Sequence, residues 1–410
     1  SVKEQRFYNG FGELSLREAR AGETLLWSEE LEVDAAGRIV SRMENFATGD
    51  PRLTLVTYDA MGRLSGITQD GSDVGSFTYD ARGNRTGSGI VVNASDQLTQ
   101  ASGGSFTYDV AGHRASKVVG GVTTSTSYDA LGNLTQVEET GAGTITYVVA
   151  GVNQRVGKKV GGVLTQGFLY LDNVHPIAEL DGSNNVVKTF VYSGDSETPA
   201  YFIDAAGKSY RMVSDGVGSV RLVIDAETGD VMQTLDYDAW GKIVVANSTN
   251  IGFQPFGFGG MLYDVDTGLY HKAGRDYDPE TATWLQRDRR AILAAVANPY
   301  AYEANDPVNW GPATHQAQSA GVFDALQEAL GEGQSGGGSW AMRVPTELLA
   351  HPNREVVVAA ALVQAKGFYT TIGRAIPATL RRDDRDDPAG IGFVDHASDL
   401  ERVVRNLAGE

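Results

Sequence analysis

Tyr58-Asp59-Ala60-Met61-Gly62-Arg63-Leu64 is a phrase that returns along the chain. It reads Tyr79-Asp80-Ala81-Arg82-Gly83-Asn84-Arg85, then Tyr108-Asp109-Val110-Ala111-Gly112-His113-Arg114 and Tyr128-Asp129-Ala130-Leu131-Gly132-Asn133-Leu134. A later copy is Tyr237-Asp238-Ala239-Trp240-Gly241-Lys242-Ile243. Gly62, Gly83, Gly112 and Gly132 stand 21, 29 and 20 residues apart. A period of this size marks one supersecondary unit stacked many times, each covering the apolar face of the last.

Asp followed closely by Gly is turn chemistry. The carboxylate accepts from backbone N–H groups one or two residues on, and Gly takes the positive φ of a tight reversal. The flanks, such as Thr54-Leu55-Val56-Thr57-Tyr58 and Ser105-Phe106-Thr107-Tyr108, are β-branched and aromatic. Each unit therefore reads as strand, turn and return strand, and each Tyr is expected to stack on its equivalent in the next unit. Weaker copies extend the array. Tyr8-Asn9-Gly10-Phe11-Gly12 and Asp34-Ala35-Ala36-Gly37 open it, and Asn93-Ala94-Ser95-Asp96-Gln97-Leu98 lacks the Gly. Asp204-Ala205-Ala206-Gly207 and Asp225-Ala226-Glu227-Thr228-Gly229 follow, so the array is expected to run unbroken to about residue 285. The fold class is all-β.

Fifty glycines without a collagen period suit many turns. With no Cys, disulfides, zinc thiolates and thiol nucleophiles are all excluded. A net charge of −18 argues against nucleic-acid binding by the array. The longest apolar run, Val356 to Val363, is too short to span a bilayer. Ser1-Val2-Lys3-Glu4-Gln5 is polar and lacks an initiating Met, so a fragment or processed product of a longer chain is expected. No cofactor or metal motif is found.

The array resembles the RHS, or YD-repeat, family, which includes bacterial polymorphic toxins, the C component of Tc toxins, wall-associated proteins and the animal teneurins. Phe168-Leu169-Tyr170-Leu171-Asp172-Asn173 and Asp215-Gly216-Val217-Gly218-Ser219-Val220-Arg221 carry the resemblance furthest. They are joined by Pro255-Phe256-Gly257-Phe258-Gly259-Gly260 and Gly274-Arg275-Asp276-Tyr277-Asp278-Pro279-Glu280-Thr281, and the likeness covers about three quarters of the chain. It implies a β-sheet spiralling into a shell, a core that closes one end, and a last segment held inside. The expected organisation is a repeat sheet over 1–167, a closing region over 168–310, a flexible linker over 311–339 and a small helical domain over 340–410. Implied partners are other parts of the parent shell or a partner shell chain, with a cell-surface receptor or glycan as the alternative. The implied location is secreted or cell-surface.

Shell-forming members commonly cut themselves with two Asp-Pro-x-Gly phrases, whose carboxylates share a proton and divide the roles of acid and base. Here the first phrase falls on Asp288, after Arg287, and reads Asp288-Arg289-Arg290-Ala291. Where the second is due stands Trp310-Gly311-Pro312-Ala313. Asp288 and Arg287 are therefore read as the remnant of a degenerate, inactive self-cleavage site; the favoured role of Asp288 is a turn carboxylate paired with Arg287 or Arg289, and the alternative is cleavage with Asp306 as replacement partner. In the tail, His315, His351 and His396 and a capping box at Ser398 and Glu401 carry no recognisable catalytic motif, though a toxin activity there stays open.

Overall fold

The structure is a computed structural model and describes residues 2–151, 153–172, 174–193, 196–288 and 298–309. The linker and helical domain expected over 311–410, with their histidines and capping box, lie outside the described residues. Within them there is no α-helix, only strands, turns and three single-turn 3-10 segments. Pairing is antiparallel between strands adjacent in sequence, as hairpins dictate. The described residues divide into two units, one built from residues up to 142 together with those from 191 to 309, the other from 143–190.

In the first unit, seven strands follow one another from Val2–Tyr8 to Ser72–Ser76. A small hairpin, Thr78–Tyr79 with Arg85–Thr86, comes next. Ladders then run from Val91–Val92 to Leu134–Glu139 and from Tyr201–Asp204 to Val231–Thr234. A four-stranded sheet from Leu262–Asp264 to Thr283–Trp284 ends the unit. Far-separated strands meet face to face: Ala19, Leu26 and Trp27 pack with Val213, Leu222 and Ile224 in one buried cluster. Trp27 is wholly buried, and truncating such a side chain costs about 3–5 kcal/mol.

Charges span the same strands. Arg52 Nη2 donates to Glu44 and to Asp236, each at 2.7 Å, and Arg221 Nη2 lies 2.9 Å from both carboxylates. Burial alone would raise the Glu44 carboxyl, but Arg221, Arg42 and Arg52 outweigh it and hold the group below its ordinary value. Such a network is costly to break, because removing one member leaves a buried charge unpaired.

The second unit is five strands from Gly143–Val149 to Val186–Val191. Its register advances through the same hairpins, with Tyr170 donating its hydroxyl to Arg155 O at 3.0 Å.

Candidate functional site

Each repeat turn is a cage around one carboxylate. Asp59 Oδ1 accepts from the backbone N–H of Met61 (2.9 Å) and of Arg63 (3.0 Å). Asp80, Asp109, Asp129 and Asp238 accept likewise from residues two and four positions on. The carboxylate therefore reaches further along the chain than the one or two residues expected. Gly62, Gly83, Gly112, Gly132 and Gly241 all adopt φ between 80° and 88°, the left-handed region that favours glycine. Where the phrase lacks Gly, another short polar residue takes the position: Asp96 has φ 61°, and Asn93 holds the carboxylate's place.

The tyrosines do not form the expected ring-on-ring ladder. Their hydroxyls donate instead to the backbone just past the preceding turn: Tyr58 to Ile39 O (2.6 Å), Tyr79 to Leu64 O (2.7 Å), Tyr128 to Arg114 O (2.7 Å) and Tyr237 to Val220 O (3.0 Å). What lies over the ring is a side chain from the preceding turn. The Arg63 guanidinium sits 4.6 Å from the Tyr79 centroid while Arg63 Nε donates to Asp59. Arg38 does the same over Tyr58, and the His113 ring lies 4.7 Å from that of Tyr128. Asp, the residue after Gly, and the next Tyr thus couple one unit to the next. A cation over an aromatic face contributes on the order of 0.5–1 kcal/mol when exposed.

Residues 283–288 and 298–309 dock on these turns. Tyr300 donates its hydroxyl to Gly112 O at 2.5 Å, and its ring meets Tyr108 edge-on at 5.7 Å. Asn305 Nδ2 donates to Gly83 O at 2.9 Å, and Asn298 Nδ2 to Asn84 Oδ1 at 3.0 Å. Asn309 accepts from Ile39 N at 2.8 Å and donates to the Tyr58 hydroxyl at 2.7 Å. Beneath it, Tyr277 and Tyr302 pack with centroids 4.4 Å apart, beside Trp284. Tyr270 and Tyr277 send their hydroxyls to Gly241 O (2.8 Å) and Trp240 O (2.7 Å), so the turn of Tyr237 and Asp238 is held from the same side.

Asp288 is placed at the edge of this clamp. Its Oδ2 pairs with Arg275 Nη1 at 2.8 Å, across the sheet rather than with the neighbouring Arg287, and its N–H donates to Pro299 O. Arg289 lies outside the described residues, as do Arg290, Ala291 and the 310–313 phrase. Arg287 lies beside Gly112, where a Cβ would come within 2.5 Å of Arg287 Cδ. Asp306 turns elsewhere: its carboxylate accepts from Asn309 Nδ2 at 2.9 and 3.0 Å.

The acid that does share Asp288's electrostatic surroundings is Glu303. Burial pushes the Glu303 carboxyl up to about 7; Arg275 and Lys272 oppose this, and the negative charges of Asp288 and Glu197 add to it. Glu303, Ala304 and Asn305 follow one another with φ of 42°, 52° and 67°. Non-glycine residues in this region are strained, and Asn305's bond to Gly83 helps hold them there. The sequence signal for Glu303 is faint: an acid directly after the aromatic phrase Tyr300-Ala301-Tyr302. Among the described residues no group of acids and histidines is arranged to hold a metal ion.

The fold and clamp together define an antiparallel array of Tyr-Asp hairpins whose turns receive a closing segment. A family model described as Teneurin YD-shell matches residues 1–308. The chain belongs to that family, and its YD-repeat relatives include bacterial toxins. The tRNA3(Ser)-specific nuclease WapA of Bacillus spizizenii is 30% identical over 268 residues, 61% of this chain and 11% of that protein. The double-stranded DNA deaminase toxin A of Burkholderia cenocepacia is 27% identical over 339 residues, 74% of this chain and 21% of that protein. Teneurin-3 of Mus musculus is 29% identical over 192 residues, 44% of this chain and 7% of that protein. A crystal structure of TcdB2-TccC3 shares the fold with a TM-score of 0.59 at 18% identity, over 75% of this chain and 18% of that one. This chain thus spans about a tenth of the length of the WapA relative.

Proposed function

We propose that this chain is the closing end of a YD shell, in which residues 283–288 and 298–309 act as a structural clamp that presents the last hundred residues. The observation that carries this is the set of hydrogen bonds from Asn298, Tyr300, Asn305 and Asn309 to turns near Gly83, Gly112 and Tyr58. One segment thereby ties repeats distant in sequence. In this reading the chain acts outside the cell, and its partners are further parts of the shell. Asp288, held by Arg275, serves the clamp rather than cleavage. Among the described residues no helix is long and apolar enough to cross a membrane.

The test is direct. The purified full chain, held for a day between pH 4 and 8, is expected to run as a single band on a denaturing gel. Two bands that vanish in Asp288→Asn would restore a working self-cleavage site and overturn this part of the reading.

The nuclease and deaminase relatives favour a second reading, in which residues 340–410 are a toxin. Expression of the full chain in a bacterial cytoplasm would then arrest growth, while a chain stopped at residue 309 would not. Equal growth of the two cultures removes it.

A further inference from the structure

Two repeats end in arginine where the others end in Leu or Ile: Arg85 and Arg114. Both stack on the phenylalanine two residues before their own Tyr, Arg114 at 4.8 Å from the Phe106 centroid and Arg85 at 5.1 Å from that of Phe77. Beyond that they differ. Both terminal nitrogens of Arg114 are taken, Nη1 by Asp278 Oδ2 at 2.6 Å and Nη2 by Thr281 Oγ1 at 2.9 Å and Thr283 Oγ1 at 2.7 Å. The Arg85 side chain has no hydrogen bond and no ion pair among the described residues, and its second neighbour is the Trp240 ring, 4.9 Å away.

Arg85 lines a cavity of about 760 Å³ in the first unit, the size of a pocket for a small ligand. The other cations of the wall are already matched. Arg52 and Arg221 share Glu44 and Asp236. Arg42 has Glu29, and Lys117 and Lys242 meet on Glu280 at 3.0 and 3.2 Å. Asp238 contributes to the field at Arg85, but its Oδ1 is taken by the N–H groups of Trp240 and Lys242 at 2.9 Å. Burial therefore lowers the Arg85 pKa, with Tyr79, Tyr277 and Asp238 opposing it only in part. A guanidinium stays charged in any such setting. Its aromatic neighbours do not supply the bidentate oxygens it is shaped to bind.

The geometry points to an oxyanion subsite in this cavity, in which the carboxylate or phosphate group of a small ligand sits on the Arg85 guanidinium, itself braced by the Phe77 and Trp240 rings that meet edge-on at 5.4 Å. Asp278 shows what the ligand provides, because it fills the equivalent place at Arg114. The aromatic walls suit a ring-bearing ligand, and an acidic sugar and a sugar phosphate are the two sources of the oxyanion. Lys117 and Lys242 stand on the same wall, so an anion competes there with Glu280.

Isothermal titration of the full chain at low salt, in a buffer free of phosphate and carboxylate, tests this with D-glucuronate, glucose 6-phosphate and neutral glucose. One or both anions are expected to bind with a dissociation constant of about 1 mM or tighter, and glucose not to bind. Arg85→Gln should weaken the anion at least about tenfold and Arg85→Lys less, with thermal unfolding as the check on folding. Glu280→Gln, which leaves Arg85 in place, should tighten binding, and added salt should loosen it. Whichever anion binds identifies the source. Failure of both anions to bind, equal binding of glucose, or unchanged affinity in Arg85→Gln would each overturn the proposal.

Discussion

Gly112 and Gly207 sit in the same turn. Their φ angles are 86° and 83°, and Asp109 and Asp204 cage the backbone with the same pair of hydrogen bonds. They differ in what lies above them. A Cβ at Gly112 would meet Arg287 Cδ at 2.5 Å and the Tyr300 hydroxyl at 2.8 Å, whereas nothing lies within 4 Å at Gly207. The seven-residue phrase therefore encodes a turn. Whether that turn is also a docking point depends on a segment nearly two hundred residues away.

The sharpest way to break this comparison is through the anchor of the docked turn. Arg114→Ala should lower stability by about 3–5 kcal/mol, because it leaves Asp278 buried with only Lys117 at 3.5 Å. Urea unfolding checks this, and a loss below about 1 kcal/mol would show that the closing segment is not held here. Next comes the glycine pair itself. Gly112→Ala should cost about 3 kcal/mol, from left-handed strain plus overpacking, and Gly207→Ala only about 1 kcal/mol from strain. Equal shifts in unfolding midpoint would mean that Tyr300 and Arg287 do not press on Gly112.

The clamp should also carry a pH signature. The Glu303 carboxyl is raised in the fold from 4.5 to about 7. Its contribution is present in full below about pH 4.5 and is lost as the pH rises through 7, since the unfolded chain gives up that proton first. The loss is on the order of 3 kcal/mol. Stability curves of Glu303→Gln and the native chain should therefore diverge across that window. Parallel curves would place Glu303 in solvent.

Asn309→Ala removes the bonds to Ile39 N and the Tyr58 hydroxyl and should cost about 1–2 kcal/mol in the same assay. The smallest effect lies in the other unit. Asn184 holds a left-handed φ of 63° at a turn without the usual Gly, so Asn184→Gly should change stability by less than about 1 kcal/mol. A large loss would show that its side chain has a further role.

Much of the fold was legible because its instructions are local. Asp59, Gly62 and the strand before Tyr58 lie within one short stretch, and their hydrogen bonds close within four residues. The coupling between repeats was misread as tyrosine stacking. Arg38 and Arg63 intervene, and a guanidinium above a ring leaves no periodic signal beyond its place after Gly. Asp288 stands out in the sequence by its motif, whereas its electrostatic neighbour Glu303 does not. Asp306 looked nearer in type to a missing aspartate, yet its oxygens are bound by Asn309.

The amino-acid sequence by itself determined the hairpins, their order and the family, since Asp cages and positive-φ glycines act over a few bonds and repeat. Only the tertiary structure decided that Arg114 finds Asp278 while Arg85 faces a cavity, and that Glu303 is buried within the field of Asp288. The physical reason is that burial and charge pairing are set by groups brought together across long stretches of chain. No run of neighbouring residues can specify them.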